Sequence, residues 1–371
     1  MTDRPRRQAK TETFGYPRRL LLSAIVSFAL VWFWVAAMPM AFMDPEYPSW
    51  RAKQIMLDRC DPADAIILGD SRAAADILPV RLPFRVANLA VGGGEAIEAL
   101  AALTRALQCP SPPRLAIISL DPGHFTRPDL FWERSVRYGF MSAADITMLR
   151  QATLQTGDTS VYEAHRSDGL PNELRDWLYR IRFPPLYFSS LVHGGLALRW
   201  AGNQRTLAAT LSAGGHYYFG TDSGSDIVAV DGHLDAFRAL PVLDHYFDRL
   251  LSLLDQHSIE AMFVAMPVNE ATWAQVNPAV RAQFAAYLSG YEHRYKRFHV
   301  AGDIMPHWPN RLFGDQFCHL NPEGAERFSA ELAQRLQDAP PRTQNEAQNG
   351  WLSDTGAAAS AKVVPISKRG S

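Results

Sequence analysis

The feature that most constrains this chain is an uncharged apolar run near its N-terminus. From Leu20 to Phe42, 23 consecutive residues include no Asp, Glu, Lys or Arg. A run of that length can cross a bilayer as one helix, and it is longer than the core of a typical signal peptide. Pro39 is expected to kink its outer end. We therefore predict a single-pass anchor over residues 20–42, with a cleaved signal peptide as the alternative.

Basic residues dominate the stretch before this run. They are Arg4, Arg6, Arg7, Lys10, Arg18 and Arg19, opposed only by Asp3 and Glu12. Because positive flanks stay on the cytoplasmic side, residues 1–19 are predicted to be cytoplasmic and the remaining chain periplasmic, on a cell inner membrane. The formal net charge of −1 gives no support to nucleic-acid binding.

Beyond the anchor, apolar strand-like runs alternate with helical patterns, which predicts an α/β fold with a parallel sheet and helices on both faces. Residues 43–60 are expected to form a polar linker or a first helix. The predicted strands are Ala65–Leu68, Phe84–Leu89, Leu115–Leu120, Ala261–Met266 and Phe298–Val300. The predicted helices are Glu95–Leu107 and Ala239–His257. Residues 122–230 are too long for one crossover and predict a helical insertion beside the site. Residues 338–371 have the composition of a disordered tail.

Three cysteines follow the anchor. Cys60 and Cys109 each precede a predicted strand by a few residues. If those strands are parallel neighbours, the two thiols lie at the same end of the sheet and can form a disulfide in an oxidising compartment. Two unrelated thiols remain the alternative. Cys318 is expected to be a small buried apolar side chain.

A serine follows the first predicted strand directly, in Gly69-Asp70-Ser71-Arg72. Glycine permits a sharp turn there, and Ser71 would then lie at the mouth of the sheet. A turn with a helix cap is the alternative interpretation of this block. Two more blocks follow strands or precede a helix: residues 88–94, Asn-Leu-Ala-Val-Gly-Gly-Gly, and residues 315–325, Asp-Gln-Phe-Cys-His-Leu-Asn-Pro-Glu-Gly-Ala.

In this order the three blocks resemble those of the SGNH (GDSL) hydrolase superfamily. The resemblance implies a flavodoxin-like three-layer sandwich over residues 60–337. It also implies Ser71 as nucleophile, His319 as base and Asp315 as the acid that orients the base. The N–H groups of Ser71 and Gly93 would form the oxyanion hole.

Two departures from the superfamily pattern affect this assignment. Asp315 lies four positions before His319, and Gln316 takes the usual position of the acid. Asp121 follows the third strand where many members have an oxyanion-hole asparagine, and an ionised carboxylate cannot donate a hydrogen bond. Asn269 is a weak candidate for the missing donor, or a turn residue. His124 is either a turn residue or a second base.

The resemblance, taken with the anchor, implies an acyltransferase or esterase. It would act on O-acyl groups, acetyl foremost, of a cell-surface polysaccharide through an ester on Ser71. No metal or cofactor is implied. The expected partners are the membrane, a glycan or acyl-donor substrate and a membrane-bound O-acyltransferase. The alternative is a non-catalytic scaffold that keeps the fold and serves a polysaccharide-synthesis complex.

Overall fold

A computed structural model describes residues 15–338, except Pro62, Asp129, 165–168 and 196. The cytoplasmic assignment of residues 1–14 and the tail prediction for residues 339–371 therefore lie outside the described residues.

The apolar run forms helix α1, Gly15–Ala37, whose span Tyr16–Ala37 has a mean hydropathy of 2.3. It is long and apolar enough to cross a membrane. The helix ends before Pro39, and residues 39–41 form a 3-10 turn. Met40, Ala41, Phe42 and Met43 are buried in the core, so the predicted span of 20–42 is too long at its outer end. The chain leaves the helix there because proline cannot continue it.

Five parallel strands make the central sheet. They are β1 Ala65–Gly69, β2 Val86–Asn88, β3 Leu115–Ser119, β4 Glu260–Phe263 and β6 Phe298–Val300, in the order β2-β1-β3-β4-β6. A separate pair, β5 Val268–Asn269 and β7 His307–Trp308, was not predicted. The predicted α/β class with a parallel sheet is confirmed. The second and fourth strands are shorter than predicted, because the apolar residues 89 and 264–266 lie beyond the last residues of the paired registers.

Helices cover both faces of the sheet. The helices of the domain are α2 Tyr47–Arg59, α3 Ser71–Asp76, α4 Ala96–Ala106, α11 Pro241–Gln256, α12 Glu270–Trp273, α13 Pro278–Arg294 and α14 Pro322–Asp338. Alternate residues of each strand pack into two separate hydrophobic clusters, with Ile66 and Ile118 in one and Ile67 and Ile117 in the other. This alternation follows from the two-residue period of a strand. Residues 47–59 are a buried helix, the second of the two alternatives for that segment.

The segment between β3 and α11 is helical. It contains α5 Gly123–Thr126, a π-helical turn at Phe131–Val136, α6 Ala143–Thr156, α7 Ser160–Glu163, α8 Asn172–Arg180, a 3-10 turn at Pro184–Tyr187, α9 Phe188–Gly194 and α10 Trp200–Ser212. Its helix α10 packs along α2. The amide of Asn203 on α10 donates to the carbonyls of Met40 and Met43, which ties the insertion to the segment that follows α1.

Cys60 and Cys109 form a disulfide, as predicted. The bond joins the segments that lead into β1 and β3, which are neighbours in the sheet. Cys318 is a free, buried thiol, also as predicted. Helix α14 reaches Asp338, so residue 338 is helical and does not belong to the predicted tail.

Candidate active site

Ser71 is the first residue of α3, immediately beyond the carboxyl end of β1. Gly69 ends the strand at φ +150, and a Cβ there would lie 1.8 Å from the carbonyl oxygen of Ser119 on β3. Asp70 caps the helix, because its Oδ1 accepts from the N–H groups of Arg72 at 2.9 Å and Ala73 at 3.2 Å. The two interpretations of this block, a helix cap and a nucleophile at the strand end, are therefore compatible. Asp70 supplies the cap, and the half-buried Ser71 begins the helix.

His319 is paired with Asp315. The imidazole Nδ1 lies 2.5 Å from Asp315 Oδ2, and Asp315 Oδ1 accepts from the backbone N–H of Phe317 at 2.8 Å. Burial acts to raise the pKa of Asp315, but its hydrogen bonds and the nearby imidazole lower that pKa below its usual value. Gln316 is exposed. The four-residue spacing thus brings Asp315, and not Gln316, to the histidine.

The other ring nitrogen of His319 is buried, and it has no hydrogen-bond partner within the part of the chain that the structure describes. Phe219 stacks on the ring, with the centroids 4.7 Å apart and the planes inclined by 23°. The histidine is therefore oriented on one side by Asp315 and covered on a face by Phe219. Its Nε2 makes no hydrogen bond with Ser71 in this structure.

Two hydrogen bonds join the helix of Ser71 to the segment of His319. Arg72 donates from Nε to the carbonyl of Phe317 at 3.1 Å, and the N–H of Leu320 donates to Asp76 Oδ1 at 2.9 Å. Burial raises the pKa of Asp76 well above its usual value. These bonds hold both ends of α3 against the residues on either side of His319.

The glycine block lies beside the end of β1. The N–H of Val91 donates to the carbonyl of Gly69 at 3.1 Å, and Gly93 has a φ of +69, which favours glycine. Neither the Ser71 N–H nor the Gly93 N–H donates to another protein group among the described residues. Both of the predicted oxyanion donors are therefore unoccupied.

Glu46, which the sequence analysis did not single out, also lies in this site. A Cβ on Gly92 would lie 1.8 Å from Glu46 Oε1. The carboxylate accepts from the Trp50 indole at 3.1 Å and pairs with Arg134 at 3.1 Å. Burial raises the pKa of Glu46, although Arg134, Trp50 and the nearby His319 act to lower it. In the sequence, the only signal for a side chain such as Glu46 at this place is Gly92, because a glycine leaves room for a side chain from another segment.

A buried charge network lies on the other side of α3. Arg72 forms an ion pair with Asp231 and lies 3.7 Å from Asp121, while His124 Nε2 lies 3.7 Å from both Asp70 and Asp121. Burial opposes the charge of His124, but the carboxylates raise its pKa above the usual value. Ligand atoms of Asp70, Asp121 and His124 lie within 4.8 Å of one another, a spacing that a metal ion would accept. Arg72 and His124 both contact carboxylates of this cluster, so the contacts also fit an ion-pair network.

Asn269 does not have a free donor. Its amide hydrogens are donated to the carbonyls of Ser225 and Ile227, both at 2.9 Å, and its Oδ1 accepts from the N–H of Thr272. It caps α12 and is fully buried. The weak prediction that it completes the oxyanion hole is therefore corrected to the structural alternative, a turn and cap residue.

No protein-family model matches this chain, and no curated protein matches it.

Proposed function

We propose that this protein is a membrane-anchored acyltransferase or esterase of the SGNH type. It acts on O-acyl groups, acetyl foremost, of a cell-surface polysaccharide and forms an ester on Ser71. The observation that carries the proposal is the set of hydrogen bonds around His319. Its Nδ1 is held by Asp315, its Nε2 has no protein partner among the described residues, and its segment is hydrogen-bonded to the helix that Ser71 begins.

The reaction has two matched halves. The Ser71 hydroxyl attacks the acyl carbonyl while its proton passes to His319 Nε2, and Asp315 stabilises the imidazolium. The tetrahedral intermediate then collapses: the bond to the donor oxygen breaks, and that oxygen takes the proton from His319. In the second half, a glycan hydroxyl or water gives its proton to His319 and attacks the ester. The bond to Ser71 Oγ then breaks, and that oxygen takes the proton back from His319.

The oxyanion would be stabilised by two backbone donors, Ser71 N–H and Gly93 N–H. Asp121 and Asn269 offer none, because the first is a carboxylate and the amide of the second is committed elsewhere. Removing one such donor from a hydrolase costs about 10²–10³-fold in rate. A site with two donors is consistent with slow hydrolysis and with transfer to a bound acceptor.

The fold supports the same proposal. The five strands of the central sheet, counted along the chain, follow the order second, first, third, fourth, fifth. This is the order of flavodoxin-like sandwiches, in which ligands bind outside the carboxyl ends of the strands. Ser71 follows the carboxyl end of β1, at the point where the strand order reverses.

We place the catalytic domain in the periplasm. Arg18 and Arg19 lie at the first turns of α1, and the positive-inside rule assigns that end to the cytoplasm. The disulfide between Cys60 and Cys109 suits an oxidising compartment. A membrane-bound O-acyltransferase is the partner that would deliver the acyl group in this arrangement.

A serine-directed fluorophosphonate probe tests the nucleophile. The full-length protein in detergent should be labelled, whereas Ser71→Ala and His319→Gln should lose the label. Ser212→Ala is the matched control, because Ser212 is exposed on α10, and it should be labelled like the parent. Labelling that persists in Ser71→Ala, or that is absent from the parent, would contradict the enzyme proposal and favour the scaffold.

An activated acetyl ester distinguishes transfer from hydrolysis. Acetate release is measured with and without candidate surface glycans, and acetylated glycan is measured by mass spectrometry. Transfer predicts glycan acetylation that depends on Ser71. Acetate release that no glycan alters, without glycan acetylation, would identify the protein as an esterase.

A further inference from the structure

Helix α1 makes direct contacts with the insertion of the domain. Phe183 in the insertion packs edge-to-face on Phe28 and Trp32 of α1, with ring centroids 6.0 and 5.5 Å apart. The Trp32 indole donates to the carbonyl of Ile181 at 2.7 Å, and Arg182 donates to the carbonyl of Ala36 at 2.5 Å. The residues around 181–183 therefore lie alongside the last three turns of the helix.

The length of α1 determines how deep in a bilayer these contacts would lie. Residues 20–37 supply eighteen helical positions after the last arginine, about 27 Å at 1.5 Å per residue, whereas a bilayer core is about 30 Å thick. The outer end of the helix then lies at or within the boundary of the hydrocarbon. Phe28 lies nine residues before that end, about 13 Å deeper along the axis. An insertion residue that packs on Phe28 must enter the same leaflet.

The chemistry of the insertion fits that position. Trp177, Phe188 and Val192 are 55%, 69% and 61% exposed, although each is a large apolar side chain. The backbone carbonyl of Ile181 and the carbonyl of Ala36 are both satisfied by protein donors, as a lipid environment requires. Beyond the end of α1, Asp44 forms ion pairs: it lies 3.4 Å from Arg199 and 3.5 Å from Arg137.

We propose that residues 177–192 of the insertion lie in the membrane leaflet at the C-terminal end of α1, where phospholipid acyl chains contact their exposed apolar side chains. The two arginines of this segment have protein partners, since Arg180 pairs with Asp176 and Arg182 donates to the carbonyl of Ala36. The protein is thus held by one spanning helix and one interfacial segment, and the domain has a fixed orientation above the bilayer. This inference rests on α1 spanning the membrane and not on the chemistry of Ser71.

The test uses nitroxide labels on the full-length protein in phosphatidylethanolamine–phosphatidylglycerol nanodiscs. Phe188→Cys and Val192→Cys report on the segment. Leu154→Cys and Val80→Cys are the controls, since these apolar residues are also exposed, at 79% and 83%, but lie outside it. Phe33→Cys on α1 calibrates the lipid value. The native cysteines do not compete, because two form the disulfide and Cys318 is buried.

Electron paramagnetic resonance then compares collision with oxygen, which partitions into lipid, and with a water-soluble nickel chelate. We expect the logarithm of their ratio to be positive at 188, 192 and 33 and negative at 154 and 80. A negative value at either 188 or 192 would overturn the proposal. Shielding of either position from both reagents would also overturn it and would indicate contact with another copy of the protein. A negative value at residue 33 would show that α1 does not lie in the bilayer, and the proposal would then be overturned with its premise.

Discussion

The contact between Gly92 and Glu46 gives the most specific prediction. In Gly92→Ala, the new Cβ would lie 1.8 Å from Glu46 Oε1 and 3.1 Å from a ring carbon of Phe219. Glu46 must therefore withdraw to beyond about 3 Å. That shift breaks its 3.1 Å bond from the Trp50 indole, and Trp50 is fully buried. Loss of a hydrogen bond to a charged group costs about 1.5–3 kcal/mol.

We expect Gly92→Ala to lower the free energy of unfolding by about 2 kcal/mol, and its melting temperature by about 3 °C in a domain of this size. Glu46→Ala leaves the Trp50 indole and Arg134 without their partner and should cost about 1–3 kcal/mol. The double variant should be no less stable than Glu46→Ala alone, because the methyl group then fills the space that the carboxylate vacates. The coupling energy of the cycle is therefore about 2 kcal/mol.

Thermal unfolding of the full-length protein in one detergent, followed by intrinsic fluorescence, measures all four corners of the cycle. Gly94→Ala is the matched control. Its Cβ would meet the backbone carbonyl of Gly69 at 2.6 Å, so Glu46→Ala cannot relieve it. Additive effects of Gly92→Ala and Glu46→Ala would refute the placement of Glu46 against the glycine block. The same would follow if Glu46→Ala rescued Gly94→Ala.

Three further predictions concern the base, the disulfide and acid stability. Asp315→Asn should slow fluorophosphonate labelling by about 10³–10⁴-fold, because the amide orients the wrong tautomer of His319; a change below tenfold would exclude Asp315 as the orienting acid. Cys60→Ser with Cys109→Ser opens a loop with a sequence separation of 49 and should cost about 4 kcal/mol, seen as a lower melting temperature; an unchanged value would contradict the bond. Burial lowers the pKa of His216 to about 4, so the neutral ring contributes stability that is complete above about pH 6.5 and is lost as the pH falls toward 4, up to about 3 kcal/mol. His216→Gln should flatten the melting temperature against pH over that interval, and an unchanged profile would reject the assignment.

Much of the fold was accessible from local patterns. Short apolar runs with paired isoleucines at 65–68 and 115–120 predict parallel strands, and the helical periodicity at 239–257 predicts α11 almost to its ends. These signals depend only on residues close together in the chain. The two-residue pair of β5 with β7 could not be predicted, since neither strand is long enough to show a pattern.

In the candidate site, too, some features follow from local sequence and others do not. Gly69 predicts the turn that places Ser71 directly after a strand. The Asn321-Pro322 cap predicts that His319 lies just before a helix, and Asn321 Oδ1 accepts from the Gly324 N–H at 3.0 Å. Asp315 is the predicted acid, but spacing alone does not show that it reaches His319, because Gln316 takes the usual position of the acid. The local turn decides it, with Cys318 at φ +60 immediately before the histidine.

Composition and periodicity over a few turns of chain are enough to predict a helix long enough to span a membrane, a parallel α/β domain and a serine at the end of a strand. Other features are visible only in the folded structure: Glu46, from the segment after α1, lies against Gly92, Phe219 covers His319, and Phe183 packs on Phe28. Such contacts join residues far apart in sequence, and shape and charge complementarity between distant segments leave no local pattern to detect.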